Sequence, residues 1–352
     1  MRVSLVGNWP RPYGGVAVHV AALARALRAR GADVVVLDIG RGDHRADGIR
    51  PARGALRYAL ALSTVAAERR LVHLHTSGAN PKSWLVALAA GRARRAGGPR
   101  GVLTLHSGSA PAYLRRDPAR RALAVAASAG FGAVVAVNDE IADELVRAGV
   151  GRARVVVLPA FSGEILEPLD PPPRLAAFRA GHEPLLAAAV PPGPIYGAEL
   201  LADAFRRLRA SLPGAGLVVF GAGTDGPAWT GPGLLGLGEI GHGSALAVLA
   251  AADVFVRPTL ADGDALSVRE ALALGCAVVA SDVGHRPPGC LVFPVRDVEA
   301  LSARLAEALA PGRRPAPSSP PGGFEALFGI YDALAQGASP VPSKTAGGRG
   351  AP

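Results

Sequence analysis

One acidic segment has the residue pattern best suited to chemistry. The chain reads PTLADGDALSVREALALG from Pro258 to Gly275, with Asp262 and Glu270 eight residues apart. An apolar run precedes this segment and a helical pattern begins near Leu266, so the two acids lie on either side of a strand-to-helix turn. Two carboxylates in this arrangement can bind hydroxyl groups on two parts of one ligand. The backbone amides at the helix start can bind a phosphate group.

The same acids also have a structural explanation. Ser267 and Glu270 match the capping-box pattern, in which the glutamate caps its own helix, and Asp262 can be a solvated loop acid. The sequence leaves both explanations open. The candidate ligand-binding residues of this segment are Asp262, Gly263, Asp264, Ala265, Leu266, Ser267 and Glu270.

Two further loops follow apolar runs. Gly14 and Gly15 precede the first helical pattern, where they would let a phosphate or sugar approach exposed amides. For a lone pair of glycines, an ordinary tight turn is the simpler explanation. His106 follows the fourth apolar run and is a candidate for the catalytic site. A structural hydrogen-bonding role is the default for a single histidine, and we assign that role to His73 and His75.

The elements that must position these residues can be read from the apolar runs. Short runs bounded by Gly, Pro or Asp alternate with helical patterns, which is typical of parallel sheets buried on both faces. One group of runs begins at Arg2, Ala32, Leu71, Gly101, Ala133 and Arg154, and a second at Pro184, Gly216, Leu234, Asp253, Cys276 and Cys290. Clustered prolines, which favour extended backbone, separate the groups. We therefore predict two doubly wound α/β domains.

The predicted organisation has five parts. They are an N-terminal Rossmann-like domain at 1–160, a Pro-rich linker at 161–183, a C-terminal Rossmann-like domain at 184–321, a helix at 322–337 and a disordered tail at 338–352. Open α/β sheets bind ligands beyond the carboxyl ends of their strands, which is where the candidate loops lie.

Composition narrows the possible partners. The net charge of +10 favours phosphate-bearing ligands, nucleic acid or anionic lipid. The sequence contains no helix-turn-helix, zinc-finger or RNP signature, so we expect no nucleic-acid partner. Cys276 and Cys290 lack the spacing of a zinc site or a disulfide framework, which fits a reducing cytoplasm. We find no secretion signal, and no apolar stretch has the length of a membrane span.

The acidic segment resembles the E-x7-E motif of the retaining glycosyltransferases of family four. The resemblance covers nearly the whole chain, including the Gly14-Gly15 loop and His106. It implies a GT-B fold, in which two Rossmann-like domains face an interdomain cleft. It also implies that Glu270 holds the nucleotide ribose, Asp262 the hydroxyls of the donor sugar and Gly15 the phosphates, while His106 lies beside the transferred sugar. No metal is implied, and the helix at 322–337 would cross back onto the N-terminal domain.

The sequence departs from that family in two ways. Asp262 stands where the motif has glutamate, and its side chain is one methylene shorter, which shifts where a hydroxyl of the donor sugar can bind. The family's usual arginine and lysine that grip the diphosphate are missing, and Tyr196 stands where the lysine is expected. Tyrosine can donate a hydrogen bond but supplies no fixed positive charge. We expect another arginine to compensate, and Arg257 and Arg269 are the nearest candidates in the sequence.

The resemblance thus predicts a metal-independent and cofactor-independent glycosyltransferase that retains anomeric configuration. A UDP- or GDP-linked sugar would be the donor, and a hydroxyl group of a glycan, glycolipid or other molecule the acceptor. The expected setting is bacterial cell-envelope polysaccharide or glycoconjugate biosynthesis. Two alternatives stay open: a catalytically weakened nucleotide-sugar-binding protein, and a sugar-nucleotide epimerase of the same fold.

A cluster of arginines suggests contact with a membrane surface. Arg115, Arg116, Arg120 and Arg121 are close enough in sequence to bring the N-terminal domain onto anionic lipid. A solvated helix face is the simpler explanation for them. We therefore expect a cytoplasmic protein, with peripheral contact at the inner face of the cell membrane as the secondary hypothesis.

Overall fold

A computed structural model describes residues 1–42, 44, 46–94, 96–310 and 324–338. The predicted tail therefore lies outside the described residues, except for Ala338. The strands are β1 (Arg2–Gly7), β2 (Asp33–Asp38), β3 (Ile49–Pro51), β4 (Leu71–Thr76), β5 (Gly101–Leu105), β6 (Phe131–Ala136), β7 (Val155–Val157), β8 (Leu185–Ala189), β9 (Gly216–Phe220), β10 (Thr230–Gly231), β11 (Leu234–Gly236), β12 (Val254–Arg257), β13 (Ala277–Ser281) and β14 (Cys290–Phe293). The helices are α1 (Gly15–Ala29), α2 (Ala55–Ala67), α3 (Pro81–Arg92), α4 (Ala110–Arg115), α5 (Pro118–Ser128), α6 (Asp139–Ala148), α7 (Pro173–Ala180), α8 (Ala198–Ser211), α9 (His242–Ala251), α10 (Leu266–Ala273), α11 (Val298–Ala308) and α12 (Glu325–Ala335).

The chain divides into two units. The first unit consists of Met1–Asn8, Ala24–Pro159 and Phe324–Pro352, and the second of Trp9–Leu23 and Ala160–Gly323. In the first unit, seven strands pair in the order β3-β2-β1-β4-β5-β6-β7. All these pairs are parallel, so each strand reaches its neighbour through a crossover connection. Most residues of β1, β2, β5 and β6 are apolar and buried, as expected for a sheet covered on both faces.

The C-terminal helix α12 packs into the first unit. Tyr331 is fully buried, and its hydroxyl lies 2.5 Å from Nδ1 of His73 on β4. The other ring nitrogen of His73 lies 2.7 Å from the Thr104 hydroxyl on β5. At the helix start, Arg30 forms an ion pair with Glu325. His73 therefore has the structural role that the sequence suggested, and it links the helix to the centre of the sheet.

The second unit contains another seven-stranded sheet, in the order β10-β11-β9-β8-β12-β13-β14. Its pairs are parallel except for the antiparallel pair of β10 with β11. One apolar core lies around Phe205, Trp229 and Phe293, and a second around Val248 and Phe255. The prediction of two doubly wound α/β sheets is confirmed.

The Pro-rich segment at 161–183 contains a helix, although its prolines predict extended backbone. Helix α7 begins at Pro173, and Leu175 is buried in the second core of the second unit. Proline is tolerated in the first turn of a helix, because the amide that it lacks would have no partner inside the helix there. The burial of Leu175 then favours the helical conformation.

We expect Tyr331→Phe to lower the free energy of unfolding by about 1–3 kcal/mol, because it removes a buried hydrogen bond to His73 without changing side-chain shape. Asp332→Ala, at an exposed position of the same helix, should change it by less than about 0.5 kcal/mol. Urea unfolding of both variants measures the difference. Equal effects would show that the hydrogen bond does not anchor α12.

Candidate functional site

Three neighbouring strands of the second unit end at the same edge of their sheet. Strands β8, β12 and β13 are adjacent and parallel, so the loops after them meet beyond their carboxyl ends. The loop after β8 carries Tyr196, the loop after β12 carries Asp262, and the loop after β13 carries Arg286. Arg257 is the last residue of β12. The topology thus brings together residues that are far apart in the sequence.

The Asp262 carboxylate lies between two guanidinium groups. Its Oδ2 accepts hydrogen bonds from Arg257 Nε at 3.0 Å, the Thr259 hydroxyl at 3.2 Å and Arg286 Nη1 at 3.3 Å. The side chain of Asp262 is only 11% exposed. Burial by itself would raise the pKa of this carboxyl group, but Arg257 and Arg286 outweigh burial and hold the pKa below its usual value. Asp262 is therefore a fixed, ionised group and not a solvated loop acid.

Two glycines allow the loops after β8, β12 and β13 to approach one another closely. A Cβ atom on Gly197 would lie 2.0 Å from the carbonyl oxygen of Pro258, and one on Gly284 would lie 2.5 Å from that of Asp262. Both residues also have positive φ, at 68° and 69°. The Leu260 amide donates to the Ile195 carbonyl at 2.8 Å, which ties the loops after β8 and β12 together.

Glu270 lies one turn into helix α10 and makes a long-range contact. Its Oε1 lies 2.8 Å from Nε2 of His242, the first residue of α9, and both side chains are buried. Nδ1 of the same histidine lies 3.4 Å from the Glu167 carboxylate. The capping-box alternative is wrong, because the helix begins at Leu266 and the residue before it is Ala265, whose side chain cannot cap. A tertiary contact therefore fixes Glu270.

The remaining candidates of the acidic segment divide into a buried ion pair and a helix start. Asp264 is fully buried and accepts from Arg269 Nε at 2.6 Å, so the charge of Arg269 is already matched. Residues Leu266 and Ser267 open α10, so their amides lie at a helix N-terminus, as predicted. The Gly263 carbonyl accepts a hydrogen bond from the His285 amide at 2.7 Å, which holds the loops after β12 and β13 together.

The candidates from the N-terminal half occupy the positions that the sequence indicated. Helix α1 begins at Gly15, and a Cβ atom there would lie 3.7 Å from the Leu266 side chain, within the second unit. Among the described residues, a Cβ atom on Gly14 would meet nothing within 4 Å. In the first unit, His106 follows β5, and its Nε2 lies 3.1 Å from Nδ1 of His75.

The arginine cluster at 115–121 is partly used within the protein. Arg115 forms ion pairs with Glu140 and Glu144, and Arg120 forms an ion pair with Asp117. These contacts favour the simpler explanation for two of the four arginines. Within the described ranges, no helix has the length and apolar character needed to cross a membrane.

Two family models match the two halves of the chain. Residues 13–161 match the model described as Glycosyltransferase Family 4, and residues 185–310 match the one described as Glycosyl transferases group 1. The chain is a GT-B glycosyltransferase. The search of curated proteins found no match to the sequence of this glycosyltransferase.

Solved structures share the GT-B fold of this glycosyltransferase at low sequence identity. A sucrose-phosphate synthase from Thermosynechococcus elongatus is 20% identical with a TM-score of 0.66, covering 89% of this chain and 91% of its own. Anabaena HepE in complex with UDP-glucose is 17% identical with a TM-score of 0.69, covering 96% and 98%. A UDP-forming α,α-trehalose-phosphate synthase from Burkholderia vietnamiensis is 15% identical with a TM-score of 0.60, covering 89% and 90%.

Sequence reasoning missed three residues of the site. Arg286 lies 24 residues after Asp262, His242 lies 28 residues before Glu270, and neither belongs to a motif with either acid. Gly284 is likewise not among the predicted site residues. A glycine followed closely by an arginine after a buried strand was the available signal, but the partner loop cannot be identified from one sequence.

We expect Asp262→Asn to lower the free energy of unfolding at pH 7 by about 3 kcal/mol, because two buried guanidinium groups lose their shared carboxylate. The folded-state pKa of Asp262 is depressed, so its ionisation stabilises the protein fully above the unfolded value of about 4 and is lost as pH falls through the folded value. The gap between wild type and variant should therefore narrow below about pH 4.

Urea unfolding between pH 7 and pH 3 measures this gap. Asp203→Asn, which alters an exposed ion pair with Arg206, is the matched control and should have little effect. A gap for Asp262→Asn that stays constant over the whole pH range would contradict the assignment of an ionised carboxylate.

Proposed function

We propose that this glycosyltransferase takes a UDP-linked sugar as donor and transfers the sugar to a hydroxyl acceptor. The observation that best supports this proposal is the fixed, ionised Asp262 beside the start of helix α10, at the carboxyl edge of a parallel sheet. The carboxylate at this edge can accept a hydrogen bond from a sugar hydroxyl, and the amides at the helix start can bind a phosphate. The structural neighbours in complex with UDP-glucose and UDP favour UDP over GDP as the nucleotide.

Asp262 has one oxygen available for a ligand in this proposal. Its Oδ2 already accepts three hydrogen bonds, whereas among the described residues Oδ1 accepts only the Gly263 amide at 3.2 Å. An ionised carboxylate oxygen can accept two or more hydrogen bonds, so Oδ1 can accept a further one. We assign Oδ1 to a hydroxyl of the donor sugar. Because the aspartate side chain is short and held by two arginines, the position of that hydroxyl is tightly restricted.

The other roles follow the family resemblance. Glu270 binds hydroxyls of the ribose and is oriented by His242. The amides at Leu266 and Ser267 face the diphosphate in the positive field of the helix N-terminus, with Gly14 and Gly15 as further phosphate-approach positions. His106 lies beside the transferred sugar in the proposed arrangement.

The proposed reaction is a direct transfer. The acceptor hydroxyl attacks the anomeric carbon on the face from which the diphosphate leaves, the bond from that carbon to the diphosphate oxygen breaks, and the acceptor proton leaves with the nucleoside diphosphate. Retention of anomeric configuration and independence from divalent metal are parts of the proposal. So are a glycan or lipid-linked acceptor and a role in cell-envelope polysaccharide or glycoconjugate biosynthesis.

Incubation of the purified full-length chain with UDP- and GDP-sugars tests the proposal. We expect nucleotide release to rise when a glycan or glycolipid acceptor is present, without added metal and in the presence of a chelator. NMR of the product gives the anomeric configuration. Binding without turnover would instead select a nucleotide-sugar-binding protein, and an altered sugar nucleotide formed without acceptor would select an epimerase.

A cytoplasmic enzyme that meets its acceptor at the membrane surface is a further part of the proposal. Arg116 and Arg121 are the two arginines of the cluster for which no ion pair is described. Co-sedimentation with anionic vesicles should fall when both are replaced by glutamine. Unchanged co-sedimentation would remove the membrane from the proposal and leave the transfer reaction untouched.

We expect Glu270→Gln to raise the KM for the UDP-sugar by about tenfold or more, since it weakens a charge-assisted hydrogen bond to the ribose. Glu199→Gln, at an exposed position in the first turn of α8, is the matched control and should leave KM within about twofold. Steady-state kinetics at varied donor concentration measure both. A lower kcat for Glu270→Gln with an unchanged KM would contradict the ribose assignment.

A further inference from the structure

The diphosphate of the proposed donor needs positive charge that the loop after β8 does not supply. The segment from Ala188 to Gly197 contains no lysine or arginine. Tyr196 occupies the position where the family resemblance predicts lysine. A helix N-terminus supplies only about half an elementary charge, so amides alone would leave most of a diphosphate charge unmatched. The missing charge has to come from another element.

Arg257 brings a cation to the position next to Tyr196. Its Cζ lies 5.7 Å from the centre of the Tyr196 ring, which is within the range of a cation–π contact. Arg257 ends β12, while Tyr196 belongs to the loop after β8. The hydrogen bond between Leu260 and Ile195 and the close approach of Gly197 to Pro258 hold these two loops together.

The two arginines of the Asp262 cluster differ in their hydrogen bonding. Arg286 donates from Nε to the Ser281 carbonyl, from Nη1 to Asp262 and from Nη2 to the hydroxyls of Thr259 and Ser281. Each of its three nitrogens therefore donates to a protein acceptor, which uses four of its five N–H groups. Arg257 donates to Asp262 through Nε, and within the described part of the chain neither of its terminal nitrogens donates to a protein acceptor. Up to four N–H groups of Arg257 are left for a ligand.

The charge balance of the cluster points to an anion. Two guanidinium groups, with side chains 12% and 7% exposed, share the single carboxylate of Asp262. The Cys290 thiol beside Arg286 does not correct this balance at neutral pH, because burial raises its pKa to about 11. Burial lowers the pKa of Arg286, and the neighbouring Arg257 lowers it further while Asp262 opposes both. One positive charge in a largely buried cluster is therefore unmatched.

We propose that Arg257 binds the diphosphate of the nucleotide donor through its terminal nitrogens and replaces the missing lysine, while Arg286 is a positioning residue that holds Asp262. This inference rests on the proposed function. Arg257 and the α10 amides then contact the diphosphate together, and the cation stabilises the leaving nucleoside diphosphate as its bond to the sugar breaks. Arg286 holds Asp262 in place, and Asp262 in turn holds Nε of Arg257, so that the terminal nitrogens of Arg257 can face the ligand.

Calorimetric titration of the full-length chain with UDP and with uridine tests the assignment. We expect Arg257→Gln to weaken UDP binding about tenfold to a hundredfold and to leave uridine binding within about twofold, because only UDP carries the diphosphate. Arg257→Lys should recover part of the loss, since it restores the charge without the planar fork. Arg207→Gln removes an exposed arginine from α8 and should change neither affinity.

The outcomes separate this inference from the proposed function. If the wild type binds UDP but Arg257→Gln binds UDP as tightly, or loses UDP and uridine equally, Arg257 is not the diphosphate ligand and the proposed function stands. If the wild type binds neither UDP nor GDP, both are overturned. For the positioning role, we expect Arg286→Lys to weaken UDP-sugar binding more than UDP binding, since Asp262 faces the sugar. Equal weakening would overturn that role.

Discussion

The ion cluster of Arg257, Asp262 and Arg286 is the interaction on which the site depends. Arg257 ends β12 and Asp262 lies in the loop after it, whereas Arg286 lies in the loop after β13, so the cluster forms only when β12 and β13 pair in their observed register. A carboxylate that is only 11% exposed is stable here because two guanidinium groups compensate its desolvation. The loop that carries the acidic segment is therefore held by charge as well as by backbone hydrogen bonds. A rigid loop of this kind is what a site for a multi-hydroxyl ligand requires.

Tyr196, at the position where the family resemblance predicts lysine, has a physical consequence in our proposal. Arginine at the end of a strand has less freedom than lysine in a Gly- and Pro-rich loop, and its planar group can satisfy an aspartate and a phosphate oxygen at once. The ring of Tyr196 covers one face of Arg257 and limits that guanidinium further. In our proposal, the positive charge at this edge of the sheet comes from β12 and not from the loop after β8. Arg269 cannot take this part, since Asp264 already neutralises it.

Much of the fold could be predicted because it depends on local pattern. The buried apolar runs identified the main strands of both sheets, and the spacing of Asp262 and Glu270 indicated the central segment of the candidate site. The helix at Pro173 was missed, because the tertiary burial of Leu175 outweighs a local preference for extended backbone. The partners of the two acids were missed for a related reason. Arg286 and His242 reach them through sheet order, which a single sequence does not specify.

The most direct test of the account is an experimental structure of the full chain with UDP bound. It predicts diphosphate oxygens at about 2.7–3.1 Å from the terminal nitrogens of Arg257, with Arg286 still bound to Asp262 and Glu270 at the ribose. A diphosphate held by other side chains, while Arg257 contacts only Asp262 and Tyr196, would contradict it.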